Sequence, residues 1–177
     1  MLTSQQSGNT LIVMDQTEKF LHFFATINNL NRQINRFKSF YMEEKGLKGA
    51  DLPVLLALNK AESGFRFDEC CQIVRMDKAL ISRSLKHLKE QDLLVIEGET
   101  TYKVRFKLSK KGKQLTSYLE QEASSVFEKA HLAIDEKEWE TFYAFCSTLS
   151  QEIETQMKDK IEASKQAAAK EEYRTGD

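Results

Sequence analysis

Apolar residues recur at helical spacing near both ends of the 177-residue chain. A stripe of aromatic and aliphatic residues runs through Phe20–Tyr41 in steps of three and four, and a second stripe with similar steps runs through Trp139–Met157. This spacing predicts two long amphipathic helices. The first has a start signal as well, because Asp15 and Glu18 have the spacing of a capping box.

The middle of the chain has a different pattern. A helix is predicted from about Asp51, followed by two short helices near 68–74 and 77–91 that are joined by a tight turn. The period then changes, since Leu93–Ile96 is a β-type run and Lys103–Leu108 alternates strictly between basic and apolar residues. Helix, tight turn, helix and hairpin form a winged helix-turn-helix. The predicted fold class is mainly α with a small β-hairpin wing.

The two terminal stripes predict a dimer. A winged helix-turn-helix lobe of about 65 residues cannot cover both of them, and a large exposed apolar patch is a liability for a lone protomer. Pairing across a two-fold axis is the simplest solution. The residues expected at this interface are Phe20, Phe24, Ile27, Trp139, Phe142, Leu149 and Ile153.

The pattern divides the chain into five segments, of which the central one is the winged helix-turn-helix lobe. They are an N-terminal tail (1–14), an N-terminal dimerisation helix (15–48), a winged helix-turn-helix DNA-binding lobe (50–113), C-terminal dimerisation helices (114–163) and a flexible tail (164–177). The tail is rich in Ala, Lys and Glu, which predicts a frayed helix.

Charge adds information by segment. From Arg75 to Lys113 there are eleven Lys or Arg and five Asp or Glu, an excess of six positive charges, whereas the rest of the chain carries 15 basic and 22 acidic residues. A basic block on an otherwise acidic chain indicates a surface that binds a polyanion.

The predicted helix at 77–91 has two unlike sides. At 100° per residue, Leu85 and Leu88 each fall within about 40° of Ile81, and the three predict a buried stripe. The other side is small, polar and basic, as a helix in the DNA major groove requires. It holds Ala79, Ser82, Arg83, Lys86 and His87.

These side chains suggest distinct DNA contacts. Arg83 can donate two hydrogen bonds to guanine, and Ser82 can read a base edge or hold a phosphate. The wing and Lys110–Lys113 are expected to hold the DNA backbone. The predicted DNA-binding residues are Lys78, Ala79, Ser82, Arg83, Lys86, His87, Lys103, Arg105, Lys110 and Lys111.

The segment Asp77–Leu88, followed by Asp92–Leu94 and then Leu108–Gly112, resembles the recognition helix, wing and post-wing helix start of MarR-type transcriptional regulators. The resemblance covers about residues 52–115, and helix order extends it to about 15–160. It implies a cytoplasmic homodimer with interlocked terminal helices that binds a pseudo-palindromic operator, usually as a repressor. In many such proteins a small phenolic or lipophilic ligand, or oxidation of a cysteine, releases the DNA.

Two positions depart from the pattern of these regulators. Their wing usually carries an Asp-x-Arg-like stretch, which falls near Thr100–Tyr102 here without the Arg, and either Lys103 or Arg105 could take its place. Asp92 stands where a Gly is usual after the recognition helix. Asp tolerates the left-handed conformation better than most residues, so the expected cost is modest.

The cysteines offer an alternative. Cys70 and Cys71 could form a thiol-based redox switch, but free Cys often behaves as a small buried hydrophobe and no thiolate-stabilising group is evident, so a structural role is favoured. A winged-helix module for protein–protein contact is the other alternative, which the basic block disfavours.

Several classes of protein are excluded. The chain has no Gly-rich phosphate loop, no Ser elbow and no metal-ligand motif, so neither an enzyme nor a cofactor or metal site is predicted. No apolar run approaches the roughly 18 residues of a membrane span. Three cysteines without a CxxC pair disfavour a disulfide scaffold, which is consistent with the cytoplasm. The sequence thus predicts a homodimeric, sequence-specific DNA-binding regulator.

Overall fold

The computed structural model describes residues 15–98 and 104–175, with side chains described as far as residue 167. Over these residues the chain forms six helices and one antiparallel hairpin, so the predicted fold class is confirmed. The elements are α1 (Gln16–Glu43), α2 (Asp51–Asn59), α3 (Phe67–Val74), α4 (Lys78–Glu90), β1 (Leu94–Glu97), β2 (Arg105–Leu108), α5 (Lys110–His131) and α6 (Glu136–Thr175). Within the described ranges, none of the helices combines the length and the apolar character needed to cross a membrane.

The helix starts follow the sequence signals. The predicted capping box at α1 is confirmed, because Asp15 Oδ1 accepts from the Glu18 N–H at 2.8 Å while Glu18 Oε2 accepts from the Asp15 N–H at 3.1 Å. Asp77 is the N-cap of α4, since its Oδ1 accepts hydrogen bonds from the N–H groups of Ala79 and Leu80. At the other end of the chain, α6 runs without interruption through the segment that we separated as a tail and ends at Thr175.

The chain divides into two compact units, one ending at Ala123 and the other beginning at Ser124. This division falls inside α5, ten residues beyond the boundary at 113 that the sequence suggested. The first unit contains the predicted winged helix-turn-helix lobe. Its buried apolar core is formed by Met42, Leu47, Leu52, Val54, Leu55, Leu58, Cys70, Ile81, Leu85, Leu88, Leu93, Leu94, Leu108 and Leu119.

The hairpin is attached to the helices at its base. β1 and β2 pair in register from Leu94 opposite Leu108 to Glu97 opposite Arg105. Phe65, in the loop before α3, exchanges two backbone hydrogen bonds with Phe106 at 3.0 and 2.8 Å. Gly64 permits this approach, because its φ is +72° and a Cβ there would lie 2.5 Å from the Phe106 carbonyl oxygen. Phe65 therefore adds one antiparallel bridge to the β2 edge of the hairpin.

The second unit is organised around one aromatic cluster. Trp139 stacks with Phe127, His131 and Tyr143 at ring-centroid distances of 5.1, 5.7 and 5.6 Å. Stacked rings at these distances add packing energy beyond the area that they bury. The cluster therefore joins the end of α5 to the start of α6.

Candidate nucleic-acid interface

Helices α3 and α4 form a helix-turn-helix with α2 packed against both of them. α3 ends at Val74 and is capped by Arg75, which adopts the left-handed conformation with φ of 52°, and Asp77 then caps the start of α4. On the inner side of α4, Ile81, Leu85 and Leu88 are buried, as the sequence predicted. Because this apolar stripe is buried, the opposite side of α4 faces outward.

The outward side of α4 is exposed and carries positive charge. The structure brings together five of the predicted DNA-binding residues there: Lys78, Ala79, Ser82, Arg83 and Lys86. The Arg83 Nε donates to the Ala79 carbonyl at 3.2 Å, and in the described part of the chain its guanidinium has no other hydrogen-bond partner. Lys86 lies 3.9 Å from Glu90 in an exposed pair, which contributes little. The face therefore retains donors for an external ligand.

His87 does not belong to this exposed face, contrary to our prediction. Its Nδ1 lies 2.8 Å from Asp51 Oδ2, and its side chain is 19% exposed. On the helix wheel His87 lies on the same flank as Ser84, which is buried. That flank faces the start of α2, where the buried carboxylate of Asp51 is the hydrogen-bond partner of His87.

The basic side of β2 is occupied by internal partners, although we predicted a free, solvent-facing surface. Arg105 Nη1 donates to the Gly64 carbonyl at 2.7 Å and lies 3.5 Å from Glu69 Oε2. Lys107 Nζ lies 2.6 Å from Glu97 Oε2. Both cations are partly covered, because the loop before α3 and the neighbouring strand supply acceptors that the local alternation could not reveal.

Glu69 on α3 forms ion pairs with both Arg66 and Arg105 at the base of the hairpin. The Arg66 N–H donates to its carboxylate at 2.8 Å and holds the pKa of Glu69 below its ordinary value. The guanidinium groups of Arg66 and Arg105 act in the same direction, while partial burial opposes them. A charged Glu69 thus anchors Arg105 of the wing to the helix-turn-helix.

The wing tip falls in residues 99–103, which lie outside the described residues. This range includes Lys103 and the Thr100–Tyr102 stretch where the MarR-type wing usually carries its Arg. The contact of Lys103 with DNA therefore stays a prediction from the sequence. Asp92, before the hairpin, has φ of 58° and thus takes the left-handed conformation that we expected.

The two lysines that begin α5 differ in their surroundings. Lys110 is exposed, whereas Lys111 Nζ donates to the Gln91 carbonyl at 2.9 Å, just beyond the end of α4. Ser109 also ties the segments together, because its Oγ donates to the Asp92 carbonyl at 2.7 Å. Lys110 is consequently the freer of the two for a phosphate contact.

Arg75 is a candidate that the sequence reasoning did not single out. It is exposed in the turn between α3 and α4, two residues before Asp77, which caps the outward-facing helix. The residue was counted in the basic block, but the helix wheel starts at residue 77 and so does not include it. A cation in the turn of a helix-turn-helix is the signal that would have found it.

The adjacent cysteines are poorly placed for thiolate chemistry. Cys70 is fully buried, and burial raises the pKa of its thiol to about 11. Burial also raises the pKa of the half-buried Cys71, although nearby Lys78 opposes that effect. Both thiols are therefore protonated near neutral pH, which fits the structural role that we favoured.

No metal site is apparent in residues 15–98 and 104–175, where no three His, Cys, Asp or Glu side chains cluster in a way that could hold an ion.

The residues expected at a dimer interface differ in their exposure in the single chain. Trp139 is half-buried in the aromatic cluster, whereas Phe20, Phe24, Phe142 and Ile153 are exposed. The remaining two, Ile27 and Leu149, are half-buried.

Solved structures of MarR-type regulators are similar to this chain. A MarR/EmrR family transcriptional regulator from Acinetobacter sp. ADP1 is 20% identical, with a TM-score of 0.62 over 76% of this chain and 96% of that one. MepR from Staphylococcus aureus, in a complex with DNA, is 12% identical, with a TM-score of 0.62 over 72% and 95%. BpsR from Bordetella bronchiseptica, whose DNA binding is regulated by 6-hydroxynicotinic acid, is 14% identical, with a TM-score of 0.58 over 77% and 96%.

No protein-family model matches the sequence, and no curated protein matches it significantly. At these identities the structural similarities establish the fold, which is the MarR-type winged helix.

Proposed function

We propose that the protein is a sequence-specific DNA-binding transcriptional regulator that inserts α4 into the major groove. The observation that carries this proposal is the outward side of α4, where Ser82 and Arg83 lie exposed between Lys78 and Lys86. Arg83 is suited to guanine, because a guanidinium can donate two hydrogen bonds to its major-groove edge. Lys78, Lys86, Arg75 and Lys110 are suited to phosphates.

The fold supports the same function. Among the similar structures, MepR is bound to DNA, and the Acinetobacter protein is a transcriptional regulator. The fold alone does not decide function, so the argument depends on the side chains that this chain presents. A cationic, hydrogen-bonding surface on α4 favours nucleic acid over a protein partner.

The regulator is proposed to act as a homodimer. Large apolar side chains on α1 and α6 are exposed in the single chain, among them Phe24 at 54% and Ile153 at 52%. Burying such side chains is favourable by about 25 cal/mol per Å² of apolar surface removed from water. A symmetric pair would cover them and present two copies of α4 to successive half-sites of a pseudo-palindrome.

We further propose that the protein is a repressor and that a small-molecule effector releases it from DNA. The DNA binding of BpsR is regulated by a hydroxylated aromatic acid, and we propose that this chain responds to a small phenolic or lipophilic ligand in the cytoplasm. Titrating hydroxylated aromatic acids into the protein–DNA complex should release the DNA. Burial of Cys70 and the raised pKa of its thiol disfavour the redox alternative.

Selection of bound duplexes from a random library tests the function. The expected result is a palindromic consensus that the protein binds at least 100-fold more tightly than scrambled duplex, with affinity falling steeply as salt rises. The Ser82→Ala/Arg83→Ala variant is the matched control and should lose the consensus while still folding. Enrichment of no sequence, together with salt-independent binding, would refute the proposal.

A further inference from the structure

His87 lies on the proposed DNA-reading helix but turns away from its exposed face towards Asp51. We infer that His87 is a positioning residue, which fixes the rotation of α4 about its axis and thereby aims Arg83 and Ser82 at the base edges. This inference rests on the proposed function, since it concerns how the same surface gains sequence specificity. It assigns to His87 a role different from the groove contact expected from the sequence.

Asp51 provides a directional anchor because it is buried yet incompletely satisfied. Its side chain is 1% exposed. Oδ2 accepts from the Lys48 N–H and from His87 Nδ1, both at 2.8 Å, while Oδ1 has no hydrogen-bond partner among the described residues. A carboxylate only accepts hydrogen bonds, so Nδ1 of His87 is the donor. Removing that donor would leave a buried carboxylate with a single backbone partner, which is costly.

The other contacts of α4 restrain its rotation less sharply. Ile81, Leu85 and Leu88 are held in the core by apolar packing, which is non-directional. A hydrogen bond weakens steeply with misalignment, so the His87–Asp51 bond selects one orientation. It joins residues 36 positions apart and thus couples α4 to the start of α2 rather than to its own helix.

The restraint on the rotation of α4 affects sequence specificity, because it sets where the side chains of the outward face lie. His87 is adjacent to Lys86 in sequence, and Arg83 lies one turn earlier on the outward side. A rotation of 20° displaces atoms at the 5–6 Å radius of a helix surface by about 2 Å. Paired hydrogen bonds to a guanine do not survive such a shift, whereas attraction to the phosphates hardly depends on it. Loss of the bond should therefore weaken binding to the consensus more than binding to random duplex.

The experiment compares four proteins: wild type, His87→Leu, His87→Asn and the double variant Asp51→Asn/His87→Leu. Each is assayed for its melting temperature and for its affinity towards the selected consensus and towards scrambled duplex. His87→Asn is the conservative variant, because its amide N–H lies near the position of Nδ1. Glu62→Gln, at an exposed position in the turn after α2, is the control.

We expect His87→Leu to melt about 4–8 °C lower and to lose about tenfold in the ratio of specific to non-specific affinity. The double variant removes the buried charge, so much of the melting temperature should return while the affinity ratio stays low. His87→Asn should keep both near their wild-type values, and Glu62→Gln should change neither. A role confined to stability predicts instead that the ratio recovers together with the melting temperature.

The outcomes separate this inference from the proposed function. If wild type binds the consensus and the double variant keeps the wild-type ratio, the positioning role of His87 is wrong although DNA binding stands. If His87→Leu has the wild-type ratio at a temperature where it is fully folded, the inference also fails. If wild type selects no duplex, the proposed function and this inference are refuted together.

Discussion

The outward side of α4 and the basic side of β2 look alike in sequence but differ in the folded chain. Each places cations at the period of its element, and each was expected to meet DNA. On α4, Arg83 keeps most of its donors free, whereas on β2 the Arg105 guanidinium is bonded to Gly64 and lies beside Glu69. The comparison shows that residue spacing identifies a charged face. Whether its cations are already paired within the protein depends on residues that are distant in sequence.

The largest expected effect is a loss of DNA affinity on replacing Arg83 of the α4 face. Replacing Arg83 with Ala should weaken binding to the consensus by about 1–3 kcal/mol and relax the preference at one base pair, with little change in the free energy of unfolding. Competition gel shifts with single-base variants of the consensus provide the measurement.

Arg75→Ala is the matched control for Arg83→Ala. This exposed cation lies in the turn before α4, so its loss should weaken all duplexes about equally. Unchanged affinity of Arg83→Ala for the consensus would show that the α4 face is not the one that reads bases.

A smaller effect is expected at Arg105, and on a different property. Its loss removes a charge-assisted hydrogen bond to Gly64 and a partly exposed ion pair with Glu69, so Arg105→Ala should lower the free energy of unfolding by about 1 kcal/mol. Urea unfolding measures this change. Lys107→Ala, on the same side of β2, is the control and should cost less.

The opposite result at Arg105 would restore the direct contact predicted from the sequence. That result is an Arg105→Ala variant with wild-type stability and clearly reduced affinity for DNA. The two faces would then function alike despite their different surroundings.

The start of α5 offers the same contrast on a smaller scale. Lys110 is exposed, while Lys111 donates to the Gln91 carbonyl. Lys110→Ala should reduce the slope of log affinity against log salt by about one. We expect a smaller change in slope for Lys111→Ala, together with a slight loss of stability. Equal slopes in both variants would mean that the hydrogen bond to Gln91 gives way when DNA binds.

The smallest expected effect is a change in protein stability at acidic pH. The Arg66 N–H and two guanidinium groups hold the pKa of Glu69 below its ordinary 4.5, so the stabilisation it supplies is fully present above pH 4.5 and is lost as pH falls through the lower, folded-state value. Wild type should therefore be more stable than Glu69→Gln at pH 7, and this difference should shrink below pH 4.5.

Urea titrations across that pH range test the behaviour of Glu69, with Glu62→Gln at an exposed position as the control. A difference between wild type and Glu69→Gln that is the same at pH 7 and pH 3 would show that Glu69 does not anchor the base of the wing electrostatically.

Local signals made much of the fold predictable. The capping pair Asp15 and Glu18 starts α1, Asp77 starts α4, and the alternation before Leu108 gives β2. Each of these depends on residues a few positions apart, where helix and strand geometry fixes the neighbours.

The unpredicted parts of the site depend on residues far apart in the chain. His87 bonds to Asp51 across 36 positions, and Arg105 bonds to Gly64 across 41. A helix wheel places His87 by angle alone and contains no information about a carboxylate buried on another helix. The outward residues of α4 were predictable because the same helix supplies both the buried stripe and the exposed side.

The aromatic cluster of the second unit gives the protein an intrinsic optical reporter. Trp139 is the one tryptophan of the chain, and it stacks on Phe127, His131 and Tyr143. Its emission spectrum therefore originates entirely from the junction of α5 and α6, with no background from the helix-turn-helix. Events at the carboxyl-terminal helices can thus be followed by fluorescence, without a dye, while DNA is titrated against the other unit.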